Sequence, residues 1–274
     1  MNKYIKNSSR CFFLFGAFSL LLSCSADEKQ TVTTLNKLVL QDEFSVDGAP
    51  DSALWNYDTG KGPGGDGWGN NELQYYTDRP ENIKVENGML KITAIQELYM
   101  GSGYTSARIT TKGKFEQKYG RFEARMKLPS GKGLWPAFWM LGSNIDINSW
   151  PQCGEIDIME NRGSQPLTVS GALHGPGYSG GTAITKSYSF TNSRVDTDFH
   201  IYGVEWGPNY VNFYIDSVLY NQITPEDANG EWVFNSNPFY MLLNLAVGGN
   251  FDGTPNSNTV FPQEMLIDYV RVYQ

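Results

Sequence analysis

The stretch Ile83-Lys-Val-Glu-Asn-Gly-Met-Leu-Lys-Ile-Thr93 sets Asn87-Gly88 between two runs in which apolar and polar residues alternate. A two-residue loop of that composition needs positive φ and joins antiparallel strands, so the chain commits here to a β-hairpin. The same period of two returns in Arg121-Phe-Glu-Ala-Arg-Met-Lys-Leu128, where Phe122, Ala124, Met126 and Leu128 share a face. It returns again in Tyr210-Val-Asn-Phe-Tyr-Ile-Asp216, where Val211, Phe213 and Ile215 do. The closing run Met265 to Gln274 is β-branched and aromatic to the last residue, which predicts a C-terminus tied into a sheet. No segment carries a long helical period. Many strands punctuated by Gly, Pro, Asn and Asp, in one even stretch from Leu38 to Gln274, predict a single all-β domain. Its two antiparallel sheets would pack face to face as a jelly-roll sandwich.

Ahead of that stretch the texture differs. Lys3, Lys6 and Arg10 precede the apolar run from Cys11 to Leu22, which reads as a signal peptide over residues 1–23. The run is too short to stay in a bilayer as a spanning helix. Leu21-Leu22-Ser23-Cys24 resembles a bacterial lipobox, in which Cys24 becomes the lipidated first residue of the mature protein. An ordinary cleaved signal with a chance cysteine near its end is the alternative. Residues 24–37 are polar and aperiodic, as expected of a tether. The expected location is therefore outside the cytoplasm, lipid-anchored to a bacterial membrane, with no other membrane contact.

Without residues 1–23 the chain keeps 18 of its 21 basic residues against all 29 acidic ones, a balance that argues against nucleic acid as a partner. Cys153 stands alone in the domain, so no disulfide within it and no CxxC metal site is expected. Seven Trp and sixteen Tyr exceed what a core of this size requires, and partly exposed aromatic faces suit stacking on sugar rings.

The most informative segment is Gln152-Cys-Gly-Glu-Ile-Asp-Ile-Met-Glu-Asn161. On a strand, Glu155 and Asp157 project to one side while Ile156 and Ile158 enter the core. Strict alternation would turn Glu160 the wrong way, and one extra residue, a β-bulge near Ile158-Met159, would return it. With the bulge counted, Glu155 and Glu160 sit roughly 13 Å apart along the backbone at ~3.3 Å per residue. Side chains leaning together could bring the carboxyls near the ~5–5.5 Å of double-displacement glycoside hydrolysis; the ~6.5–9.5 Å of inversion fits less well. Like charges raise one another's pKa, which suits a site where one carboxylate attacks and another must hold a proton. A calcium site or a solvated acidic edge is the bland alternative for the same pattern.

Gly154-Glu-Ile-Asp-Ile-Met-Glu160 resembles the signature of glycoside hydrolase family 16 in its longer form, with an extra residue before the last acid. The resemblance extends through Gly67-Trp-Gly-Asn-Asn-Glu-Leu-Gln-Tyr-Tyr-Thr77, Gly133-Leu-Trp-Pro-Ala-Phe-Trp-Met140 and Asp268-Tyr-Val-Arg-Val-Tyr273. It implies a concanavalin-like jelly roll with a substrate groove across a concave sheet and a retaining mechanism that needs no catalytic cofactor. It implies Glu155 as nucleophile, Asp157 as its assistant and Glu160 as general acid/base. The extra Met159 and His174 resemble the laminarinase-like branch, which implies an endo-β-1,3-glucanase acting as a monomer on β-1,3- or mixed β-1,3/1,4-glucan. Another polysaccharide such as a galactan, a transglycosylase activity, or a non-catalytic glucan-binding sandwich remain the alternatives.

The resemblance also implies substrate-binding roles for Trp135, Trp139, Arg108, Asn70, Trp68 and His174. Core packing is the alternative for Trp139, a surface ion pair for Arg108 and a plain turn for His174. Finally, it implies a structural calcium ion held by Glu43, the Gly88 carbonyl and Asp268, a set of hard oxygens that suits Ca²⁺; solvated acids would look the same.

Overall fold

The computed structural model describes residues 33–274. The leader, Cys24 and residues 25–32 lie outside them. In chain order the strands are β1 Leu38–Asp42, β2 Asn56–Asp58, β3 Gln74–Tyr76, β4 Ile83–Val85, β5 Leu90–Tyr99, β6 Ser102–Ser106, β7 Arg108–Thr110, β8 Gly120–Lys127 and β9 Leu134–Gly142. There follow β10 Glu155–Glu160, β11 Thr168–His174, β12 Ile184–Ser189, β13 His200–Gly207, β14 Tyr210–Ile215, β15 Val218–Ile223, β16 Phe239–Val247 and β17 Gln263–Tyr273. A helical loop over Gly67–Asn71 and a single helical turn, α1 Gly249–Asp252, matter to the site.

One sheet runs β15-β14-β13-β8-β17-β5-β6-β3, with β1 beside β17 and β4 beside β5; the other runs β12-β11-β10-β9-β16-β7-β2. Pairing is antiparallel apart from β3 with β6. This is the jelly-roll sandwich that the alternation predicts. Asn87 and Gly88 close the β4–β5 hairpin with φ of 56° and 71°, and Val85 faces Leu90 across it. Phe122, Ala124 and Met126 of β8 and Val211, Phe213 and Ile215 of β14 all point inward, against Phe138 and Met140 of β9, Ile156 of β10 and Leu243 and Leu245 of β16. Cys153 is buried in a smaller apolar cluster with Leu141, Tyr240 and Leu242.

The domain edge begins a little earlier than the alternation does. Glu205 is buried on β13 and needs donors; the Thr34 amide (2.6 Å), the Thr34 hydroxyl (2.5 Å) and the Leu35 amide (3.1 Å) supply them. Lys37 and Gln274 exchange backbone hydrogen bonds. Residues 34–37, expected as the end of the tether, thus lie on the sandwich.

Glu43, Gly88 and Asp268 belong to the ten-stranded sheet. β17 pairs with β1 through Val270 and beyond, and with β5 up to Ile267, and Asp268 falls at a bulge between the two. Glu43 directly follows β1 and Gly88 precedes β5, so register brings both backbones beside the stretch of β17 that holds Asp268. The donor set fits calcium in kind. Glu43 spends both oxygens on Arg271 (2.7 and 2.9 Å) and Asp268 one on Arg125 (2.6 Å), pairs that an ion would have to displace.

Candidate active site

β10 pairs with β9 on one side and β11 on the other. Asp157 faces Trp139, yet Met159 already faces Phe138, and on the β11 side Asp157 and Glu160 face Ala172 and Ser170. The slip is one residue, and Ile158 is the surplus. The reason is apolar: Ile156, Ile158 and Met159 are all buried in the core, two of them consecutive, which a strand can satisfy only by bulging. The bulge brings Glu155, Asp157 and Glu160 to the opposite, groove-facing side.

Each of the three meets its own polar partner. The Trp150 indole Nε1–H donates to Glu155 Oε2. The Trp135 indole donates to Glu160 Oε1 at 2.9 Å. His174, which lies opposite Glu155 on β11, places Nε2 2.9 Å from Asp157 Oδ2. The Gly180 amide donates to His174 Nδ1 at 3.0 Å, which leaves the neutral ring's proton on Nε2, the nitrogen nearer Asp157.

The acids stand where charge is costly. Asp157 is buried, while Glu155 and Glu160 keep an opening to the groove but are otherwise surrounded by protein. Burial first, then the charge of Asp157, pushes Glu155 well above the usual carboxylate range. Asp157 rises for the same first reason and then through Glu160. Glu160 is raised to about 7 by burial and by Glu155, with His174, Trp135 and Arg162 pulling the other way. Glu155 accepts from the Trp150 indole, while the hydrogen bond it shares with Asp157 raises Glu155 and lowers Asp157, so one proton is held between the two carboxyls.

Further along the groove, Arg108 lies between two indoles, its guanidinium carbon 4.4 Å from the Trp68 ring and 4.8 Å from that of Trp139. It also forms an ion pair with Asp58 at 2.9 Å. Trp139 donates to Asn244 at 2.7 Å and borders the smaller apolar cluster. Trp68 sits in the Gly67–Asn71 loop at φ 57°, a left-handed conformation that is costly for a Trp and marks a constrained site. Asn70 reaches Glu72 only at 3.5 Å. Trp135 and His174 thus touch the acids, Trp139 faces Asp157 across the β9–β10 ladder with Arg108 and Trp68 beyond it, and Asn70 shares the Trp68 loop, whereas Glu43, Gly88 and Asp268 belong to the other sheet.

Several partners escape a reading of the sequence. Trp150 precedes β10 in a Trp-Pro turn, and its only signal is a large aromatic in a polar stretch. Phe251 of α1 stacks on Trp135 at 4.9 Å, and no pattern in the sequence links the two. Asn244 is a lone polar residue in the apolar run of β16. It donates to Tyr76, which donates to buried Glu72, whose second donor is Gln74 at 2.6 Å.

Residues 70–271 match the family described as glycosyl hydrolases family 16. Over 268 residues the chain is 41% identical to a beta-glucanase of Rhodothermus marinus, covering 93% of this chain and 92% of that one. The laminarinase catalytic domain from Thermotoga maritima superposes with a TM-score of 0.82 at 49% identity, over 87% of this chain and 98% of that one. The endo-beta-1,3-glucanase from Pyrococcus furiosus does so with 0.83 at 44% identity, over 89% and 98%.

Proposed function

Since the chain belongs to glycosyl hydrolase family 16, we propose that it is a retaining, laminarinase-like endo-β-1,3-glucanase acting on β-1,3- or mixed β-1,3/1,4-glucan. The observation that carries the reading is the bulge at Ile158, which sets both outer acids on the groove face with an indole donor to each.

In the first step ionised Glu155 attacks the anomeric carbon. The glycosidic C–O bond breaks and Glu160 gives its proton to the departing oxygen, leaving a glycosyl ester on Glu155. In the second, Glu160, now a carboxylate, takes a proton from water as the water's oxygen displaces Glu155 from the sugar. Asp157, with His174 beside it, shares a proton with Glu155 and stabilises it both as the ion and as the leaving group. A Glu160 that titrates near 7 is suited to giving and taking a proton in turn. Trp68, Asn70, Arg108 and Trp139 are proposed as contacts for the glucan chain away from the scissile bond. No cofactor takes part.

The test offers the purified protein laminarin, curdlan, lichenan, barley mixed-linkage glucan and agarose, and follows the products by chromatography and NMR. Internal cleavage of the β-1,3-glucans with the β-anomer appearing first is expected. Activity on agarose alone, or the α-anomer first, would overturn the assignment.

Place and support are separate proposals. Cys24 as a lipid attachment site predicts that C24S releases the protein from the membrane fraction. A calcium ion at Glu43, the Gly88 carbonyl and Asp268 would brace the ten-stranded sheet, away from the chemistry. A monomer is expected and is read from its elution volume.

A further inference from the structure

Arg162 lies two residues beyond the acid/base and yet makes no ion pair with any carboxylate among the described residues. Its Nε donates to the Phe251 carbonyl at 2.8 Å, and its guanidinium carbon sits 3.9 Å from the centre of the Phe251 ring. That ring stacks in turn on Trp135, centroids 4.9 Å apart and planes 29° from parallel, and the Trp135 indole bonds Glu160. The order of contact is therefore guanidinium, phenyl, indole, carboxyl.

The column is anchored. Phe251 belongs to α1, and its neighbour Asp252 is buried and accepts from the Gly133 amide (2.7 Å), the Ser164 amide (3.1 Å) and the Ser164 hydroxyl (2.5 Å), with Lys132 at 3.4 Å. One carboxylate thus pins α1 to the segment entering β9 and to the segment leaving β10. Asn71 in the Gly67–Asn71 loop adds a bond to Asn250 at 2.9 Å.

An arginine in direct contact with the acid/base would hold it ionised and abolish its use as an acid. A cation–π partner keeps the guanidinium close but engaged elsewhere, so its field reaches Glu160 without a hydrogen bond. We propose that Arg162 is a positioning residue for Glu160: through Phe251 it fixes the Trp135 indole, and its charge, kept off the carboxyl by that stack, sets where the acid/base titrates. The other groups facing Glu160 are Glu155 and Asp157 on β10, His174 on β11 and Tyr220 on β15. None of them is altered by the substitutions below.

The inference rests on Glu160 being the acid/base. The measurement is the pH profile of kcat/KM on laminarin. Its alkaline limb is assigned to Glu160 by its disappearance in E160Q assayed on an aryl glycoside with a good leaving group. R162M is expected to move that limb upward by about half a pH unit to one unit, because a charge favouring the carboxylate is gone. R162K, which keeps the charge and can still seat a cation over the Phe251 ring, should leave the limb within about 0.3 unit of the native one. F251A frees the guanidinium to reach Glu160, and the limb should fall. A limb that R162M leaves in place, that R162K moves as far as R162M does, or that F251A fails to lower overturns the proposal. A native protein inactive on every β-1,3-glucan would instead sink the proposed function, so the two failures are distinguishable.

Discussion

Among the β-strands that carry buried acids, β8 and β10 treat them in opposite ways. On β8 the alternation is regular and Glu123 is enclosed by Arg121 at 3.0 Å and by the hydroxyls of Tyr214 at 2.7 Å, Tyr273 at 3.4 Å and Tyr269 at 3.5 Å. Every lone pair has a donor and the charge has a cation. On β10 the alternation is broken by Ile158, three acids share a face, and Arg162, two residues beyond the last of them, is turned onto a phenyl ring. A carboxylate that only holds structure together is fully paired. One that must gain and lose a proton is left short of donors and next to like charges.

Substitution should separate the two regions sharply. E155Q and E160Q are each expected to lower hydrolysis of unactivated β-1,3-glucan by roughly 10³-fold or more while circular dichroism, and Tm at pH 4, stay near native. E123Q should do the reverse, keeping activity per folded molecule but costing about 2–4 kcal/mol of stability by chemical denaturation, because it strands Arg121. Near-native turnover in E155Q or E160Q, or an inactive but stable E123Q, would break the comparison.

The indole donors come next. W150F and W135F keep a ring and lose the N–H. Each should reduce kcat by about 10- to 100-fold on laminarin with a smaller change in KM. A change confined to KM would make the two residues sugar platforms only.

Stability against pH sharpens the contrast in sign. The folded-state pKa of Glu160, about 7, lies above its unfolded value, so the native state binds the proton more tightly. That advantage is complete below the unfolded pKa and is lost as pH rises through about 7. E160Q cannot ionise, so at pH 8 it should be more stable than the native protein by about 1–3 kcal/mol, whereas at pH 4 the two should match. Urea titrations at the two pH values read this directly, and equal stabilities at pH 8 would contradict it. The smallest effect is expected at the Glu43–Asp268 gap, where saturating calcium should raise Tm by a few degrees, about 2–6 °C. No change against a chelator would mean that Arg271 and Arg125 keep those carboxylates.

The β10 acids were legible because one strand carries them all, and period two plus a single surplus residue is enough to place three side chains. The hairpin at Asn87-Gly88 was legible for a similar reason, since its turn chemistry is local. Trp150, Phe251 and Arg162 were not. They reach the acids from a turn before β10, from α1 and from the segment after β10, and only sheet register brings those segments together. Asn244 was hidden differently, as one amide inside the apolar run of β16. The early start of the domain at Thr34 depends on buried Glu205, more than 160 residues away along the chain.

The central claim is that the bulge at Ile158 aims Glu155 at the anomeric carbon while Glu160 handles the proton. A 2-deoxy-2-fluoro-β-laminaribiosyl fluoride should form a glycosyl ester that persists, and peptide mass mapping locates it. The account predicts a single adduct on Glu155; an adduct on Asp157 or Glu160, or none while the native substrate is still hydrolysed with inversion, would contradict it.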